Sequence, residues 1–289
     1  MSLDMSITSN PNRLAQTLAI TKERTWEKYA EPFRMLDHVY CIATTFASQY
    51  LVETSEGLVM LDAGWHEMEP FTIDSIHRLG FDPRDIRHLF LTHGHFDHVG
   101  GARLIQEISG HCKTYMAPGD MFFFTERRDL IVPGADADGR CPEFKVDVLY
   151  DYETVYKVGD TEFWAVHCPG HTPGTSSVFC KTTHRGKEVI CAIHGGMALN
   201  GMSRKELKAN GLPYSLQRDY MTNMEKAMKM RVDCYLPAHQ FGYDVLALKQ
   251  EDDGTGDIFV NPEVWPRVMR NAADSFMKAF GTEMELPED

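Results

Sequence analysis

Thr92-His93-Gly94-His95-Phe96-Asp97-His98 places three histidines and one aspartate within six residues. Neutral imidazole and carboxylate are the ligands that a borderline metal such as zinc prefers. The mostly apolar run 86–91 predicts a buried strand ahead of the cluster, and Val99-Gly100-Gly101-Ala102 opens a helix behind it. On extended backbone, residues two apart project to the same side, so His93 and His95 can converge on one ion. Where the chain turns into the helix, Asp97 and His98 can face a second. A polar loop that merely happens to be histidine-rich is the bland alternative, and the density of the pattern argues against it.

Two more histidines stand at the ends of predicted strands, in Cys168-Pro169-Gly170-His171-Thr172-Pro173-Gly174 and in Pro237-Ala238-His239. Pro-Gly turns on both sides of His171 hold its backbone rigidly, which suits a ligand. Asp62, on the sharp turn Asp62-Ala63-Gly64, reads either as a plain turn residue or as a group orienting a ligand histidine. The histidines at 38, 66, 77, 88, 111, 167, 184 and 194 read as structural or surface residues, with His66 and His194 the better candidates for lining a site.

The elements that must position these residues alternate strands with helices. Short strands are expected at 39–43, 49–53 and 58–61, a helix at 69–79 closed by Gly80, and then the strand that delivers the histidine cluster. A helix over 100–108, a strand at 113–116 and a helix starting at Pro118 follow. Residues 133–143 form the one long loop and are expected to flank a site. The strand pattern resumes at 146–149, 154–158 and 162–167, then forms a hairpin about 184–187. Met221, Met224 and Met228 follow helical spacing as a core-facing stripe. A strand at 234–236 and a terminal helix from Asn261-Pro262 towards Phe280 complete the chain. No linker is visible, so a flexible lead-in over 1–21 and a single domain over 22–289 are expected.

The totals narrow the function. In 289 residues, 43% are hydrophobic and 25% charged, ordinary for a globular protein with a sizeable core. With 42 acidic against 29 basic residues the net charge is -13, which argues against nucleic acid or an anionic membrane as partner. No apolar run approaches ~18 residues, and residues 1–12 lack the regions of a signal peptide. Seven scattered cysteines without a C-x-x-C pair read as reduced thiols in a cytoplasmic protein.

Taken together, H-x-H-x-D-H, P-G-H-T-P-G and P-A-H resemble the metallo-β-lactamase superfamily over about residues 26–280. Trp26, Pro32-Phe33, Asp37-His38-Val39-Tyr40, the stretch 58–64, the segment Val232-Asp233-Cys234-Tyr235-Leu236-Pro237-Ala238-His239 and the terminal helix resemble the third subclass of class B β-lactamases. The resemblance implies an α/β fold, an αββα four-layer sandwich of two mixed β-sheets flanked by helices. It implies two Zn²⁺ ions per chain, with His93, His95 and His171 holding the first and Asp97, His98 and His239 the second. Metal-bound hydroxide would attack a carbonyl of a small substrate, with Asp97 as the catalytic residue that carries the proton to the leaving group.

The sequence departs from the family at one turn. Where most superfamily hydrolases carry a bridging aspartate, this chain reads His194-Gly195-Gly196-Met197. The serines by which the third subclass binds the antibiotic carboxylate fall on Gly196 and Ala198. Cys234 has no obvious disulfide partner. A β-lactamase-like zinc hydrolase with a weak grip on β-lactams is therefore expected, with a lactonase or thioesterase as the alternative. An iron-dependent oxidoreductase is disfavoured because His95 stands where di-iron members use glutamate. A metal-binding protein without turnover is the remaining class.

Overall fold

The computed structural model describes residues 11–42, 44–132, 139–240 and 242–286. Among the described residues, twelve strands sort into two sheets. The first holds β1 (Phe33–Arg34), β2 (Val39–Ile42), β3 (Gln49–Thr54), β4 (Gly57–Leu61), β5 (Ile86–Phe90), β6 (Lys113–Met116) and β7 (Val148–Leu149) in chain order. It is antiparallel from β1 to β4 and parallel from β4 to β7. The second runs β12 (Cys234–Leu236), β11 (Lys187–His194), β10 (Ser176–His184), β9 (Thr161–His167), β8 (Tyr156–Val158). Its pairs are antiparallel except β11 with β12. Both sheets are mixed, as expected.

The period-two geometry of a strand decides which side chain enters which layer. Tyr50, Val52, Val59, Leu61 and Phe90 join Phe163, Val178, Cys180, Cys191 and Ile193 in the core between the sheets. Their neighbours Leu51, Leu58, Met60 and Leu89 face the other way and pack with Ile76 and Ile105. Those two residues belong to helices on the outer face of the first sheet. The first sheet is thus apolar on both faces, which is why β4 reads as a continuous apolar run from Leu58 to Leu61.

The helices in chain order are α1 (Pro11–Glu23), α2 (Glu69–Arg78), α3 (Phe96–Val99), α4 (Ala102–Ser109), α5 (Phe122–Thr125), α6 (Arg204–Asn210), α7 (Ser215–Ala227), α8 (Val245–Glu251) and α9 (Val264–Met284). On the outer face of the second sheet, Trp164 stacks on Phe179 at 5.2 Å and Trp265 of α9 meets Phe179 edge-on at 5.9 Å. Tyr220 of α7 stacks on Phe276 of α9 at 4.5 Å. Helix, sheet, sheet and helix follow one another through the molecule.

Some expectations change. The lead-in expected over 1–21 is helical from Pro11, and residues 1–10 lie outside the described residues. The cause is a long-range contact: the Trp65 indole donates to the Thr21 carbonyl at 3.1 Å, and Thr21 is fully buried. The helix expected over 100–108 is α4 (Ala102–Ser109), and a separate short helix, α3 (Phe96–Val99), precedes it within the histidine cluster. A Cβ on Gly101 would come within 2.4 Å of the Ala63 carbonyl oxygen, two residues beyond the end of β4, so the start of α4 and the turn after β4 pack too closely there for a larger residue. Of the long loop 133–143, residues 133–138 lie outside the described residues. Met224 is buried, with Met221 and Met228 packed beside it against the core.

Candidate metal centre

β4 and β5 run parallel, so Asp62 and Thr92 leave the first sheet at the same edge. β11 and β12 are parallel too, and β9 hands over to β10 through the loop that carries His171. The Ser176 N–H at the start of β10 donates to the Thr92 carbonyl at 2.9 Å, joining the two sheets at that edge. All six residues expected as ligands gather there, at the carboxyl ends of the parallel strands, where α/β sheets place their ligand sites.

They form two groups of three, His93, His95 and His171, then Asp97, His98 and His239. His93 Nε2 lies 3.1 Å from His95 Nδ1, which lies 3.0 Å from His171 Nε2. His98 Nε2 is 3.3 Å from His239 Nε2, and Asp97 Oδ2 is 3.6 and 3.5 Å from these two nitrogens. Two atoms each ~2.0–2.1 Å from a tetrahedral zinc stand roughly 3.3 Å apart. The donor spacing therefore fits a small ion in each triad. The two triads are adjacent, since the His93 and His98 rings are 4.2 Å apart.

The opposite ring nitrogens supply a second test. His98 Nδ1 donates to Asp62 Oδ2 at 2.7 Å, His171 Nδ1 to the Ala198 carbonyl at 3.1 Å and His239 Nδ1 to the Phe46 carbonyl at 3.0 Å. His93 Nδ1 donates to Thr92 Oγ1 at 3.2 Å, whose own hydroxyl donates to Asp62 at 2.9 Å. Each contact puts the ring proton on Nδ1 and leaves the Nε2 lone pair facing the site. Four independent acceptors thus impose the tautomer that metal binding needs.

Charge follows from burial. Burial and the neighbouring imidazoles hold His93 and His95 well below the ordinary histidine range, His171 at about 3 and His239 at about 4. These rings are neutral at pH 7, the state in which imidazole ligates. His98 goes the other way: burial lowers it, but Asp97 and Asp62 outweigh burial and raise it. For Asp97 burial pushes up, and His98, His239 and His95 more than offset it, so the carboxylate is ionised.

Asp62 resolves as the orienting group. It is fully buried, adopts φ 57, and accepts from Thr92 N at 2.8 Å as well as from Thr92 Oγ1 and His98. The left-handed conformation, tolerated by aspartate better than by most residues, aims its carboxylate back under the cluster. His66 lies 3.0 Å from Glu69 and belongs to neither triad. His194 is fully buried beneath the site, bonded to Ser177 Oγ at 2.7 Å and edge-on to Trp265 at 6.2 Å.

The turn after β11 is occupied by His171. A Cβ on Gly196 would lie 2.3 Å from His171 Cδ2 and 2.6 Å from its Cγ, so no side chain fits there without moving that ring. Phe46, 5.1 Å from His239, and Phe123, 6.0 Å from His95, form apolar walls. Sequence reasoning missed Thr92, Phe46, Phe123 and Asp120. For Asp120 the only signal is its place at the end of a strand parallel to β5, in Ala117-Pro118-Gly119-Asp120.

Fold and paired triads define a metal-dependent hydrolase. The sequence profile of the metallo-beta-lactamase superfamily matches residues 43–184, and the fold over the whole chain is the one that superfamily shares. Among solved structures it is similar to BJP-1, a subclass B3 metallo-beta-lactamase of Bradyrhizobium japonicum, with TM-score 0.79 and 25% identity over 90% of this chain and 97% of that one. It is similar also to FEZ-1 from Legionella gormanii, with TM-score 0.77 and 24% identity over 90% and 99%. By sequence it is 23% identical over 231 residues to an N-acyl homoserine lactonase of a Bacillus species, covering 68% of this chain and 80% of that protein. A probable metallo-hydrolase of Bacillus subtilis, YflN, is 24% identical over 220 residues, 68% and 81% of the two chains. The β-lactamase likeness is carried by overall shape, while the relatives in sequence include lactonases.

Proposed function

We propose that this protein is a dinuclear zinc hydrolase, one catalytic domain over residues 22–289, that opens a neutral ester or lactone in preference to an anionic β-lactam. His93, His95 and His171 would hold the first ion, and Asp97, His98 and His239 the second. When bound, the pair supplies Lewis acidity and a water acidified from ~15.7 towards ~7. The residues of the chain do the rest. Asp62, Thr92, Phe46 and Ala198 hold His98, His93, His239 and His171 with Nε2 facing the site, so ordering these four ligands costs little at the moment of reaction. The ionised Asp97 carboxylate accepts a proton and delivers it to the leaving oxygen. The buried rings of Phe46 and Phe123 pack beside His239 and His95 and keep bulk water from those two imidazoles.

One observation carries the substrate preference: Gly196 packs against His171 and leaves no room for a hydroxyl that could grip a carboxylate. Each missing charge-assisted contact is worth on the order of 1.5–3 kcal/mol of binding. The N-acyl homoserine lactonases among the relatives support a lactone substrate. Seven free, buried cysteines support a reducing, cytoplasmic setting, and among the described residues no helix is long and apolar enough to cross a membrane. The test compares kcat/KM for a penicillin, a cephalosporin, acyl lactones and thioesters on zinc-loaded protein. Lactones should lead, with penicillins limited by a high KM. Penicillin turnover with micromolar KM would overturn the preference.

A further inference from the structure

The turn after β6 carries a carboxylate for which the proposed reaction has no use. Asp120 is fully buried, and three donors surround it. Its Oδ2 accepts from the Gly94 N–H at 2.8 Å and from the Thr172 hydroxyl at 2.7 Å, and its Oδ1 accepts from the Gly174 N–H at 2.6 Å. Gly94 lies between His93 and His95, and Thr172 follows His171. One side chain therefore joins the two loops, from different sheets, that supply the first triad.

The fit leaves little slack. A Cβ on Gly174 would come within 2.7 Å of Asp120 Cγ, and one on Gly94 within 3.3 Å of Asp120 Cβ and 2.9 Å of the Phe123 ring. Thr172 is held in turn by Thr175, whose hydroxyl accepts from the Thr172 N–H at 2.8 Å. The second triad is anchored elsewhere, His98 on Asp62 and His239 on the Phe46 carbonyl. Three donors converging on one buried carboxylate resist displacement together, because moving either loop strands at least one N–H or O–H without an acceptor.

We propose that Asp120 is a positioning residue that sets the distance between His93–Gly94–His95 and His171, and so governs the hold of the first metal position without governing the second. This rests on the reading of the six residues as two metal triads. Asp62, by contrast, reaches both triads, His98 directly and His93 through the Thr92 hydroxyl.

The experiment measures metal content of the zinc-loaded protein by elemental analysis across a chelator series, with the far-ultraviolet spectrum and Tm followed in parallel. Asp120→Asn keeps the volume but turns an NH₂ towards donors, and Thr172→Val removes a single bond. We expect one of two metals to leave Asp120→Asn at a free chelator concentration ~10–100-fold lower than in the wild type, the other being retained. Thr172→Val should show the same one-metal step, less displaced. Adding His171→Ala to Asp120→Asn should remove no more metal than His171→Ala alone. Unchanged release from Asp120→Asn, or both metals lost together in proportion to a fall in Tm, would overturn the proposal. If Asp120→Asn does not fold, Thr172→Val decides on the same criterion. A wild type holding fewer than two metals, or His171→Ala keeping both, would instead refute the two-triad reading itself.

Discussion

His98 donates its Nδ1 proton to Asp62 across 2.7 Å, and both side chains are completely shielded from solvent. The pair links the end of β4 to the start of α3, and Thr92 adds two further bonds to the same carboxylate. Removing Asp62 would strand three buried donors at once. Asp62→Ala should therefore lose about 3–5 kcal/mol of folding stability, the range for breaking a buried charged pair. Denaturant unfolding of the metal-free protein reads this directly. A loss under about 1 kcal/mol would mean that water replaces the carboxylate.

The second triad depends on His239 coming from the far end of the chain. Asp97 and His98 alone make a two-ligand site, below the number a tightly held zinc uses. His239→Ala should retain about one metal per chain where the wild type holds about two. Two tightly held metals in that variant would strike His239 from the ligand set.

Asp97→Asn tests the proton carrier. The amide keeps size and one oxygen but neither charge nor basicity. A fall in kcat of roughly 10²-fold or more is expected, the scale of acid–base groups. Undiminished hydrolysis with both metals bound would assign the proton transfer to another group.

Restoring a hydroxyl at position 196 should fail to create a β-lactamase. The Cβ of Gly196→Ser would begin 2.3 Å from His171 Cδ2. Turnover of lactones and penicillins should fall together as His171 is displaced, with a matching loss of metal. A lower penicillin KM with full metal content would show that the turn relaxes to admit the side chain.

Acid should destabilise the metal-free protein before it affects a carboxylate-limited one. His171 and His239 are held at about 3 and about 4 by burial, and His194 at about 4 for the same reason. Each binds a proton more weakly folded than unfolded. Their penalty is absent above the unfolded value of about 6.5 and grows as pH falls towards about 4. Asp120, pushed up to about 6 by burial, and the raised His98 act in the opposite sense and offset part of it. The Tm of the metal-free form should decline from pH 6.5 to 4. A Tm that is flat or rising over that interval would mean that the buried rings protonate without cost.

The six candidate ligands could be read from the chain because the chemistry is written locally. Four lie within His93 to His98, and His171 and His239 each stand at a strand end beside proline. The strands were legible for a similar reason: alternation and apolar runs follow from which faces a sheet buries, as Leu58 to Leu61 show. What the chain did not disclose are contacts between groups far apart in sequence. Nothing near Thr21 announces that its carbonyl will meet the Trp65 indole and make the expected lead-in a helix. Asp62 had two readings until folding brought His98 to its carboxylate, 36 residues away. The Gly196 turn, expected to lack a carboxylate grip for want of hydroxyls, proved to lack the space for one. Asp120 drew no notice because a lone turn aspartate has ordinary chemistry until burial removes its water and three backbone and hydroxyl donors from two distant loops replace it. Local spacing determined which atoms could bind metal, and only tertiary packing decided which tautomers, distances and exclusions they work under, because those depend on desolvation and on partners that the chain brings together only by folding.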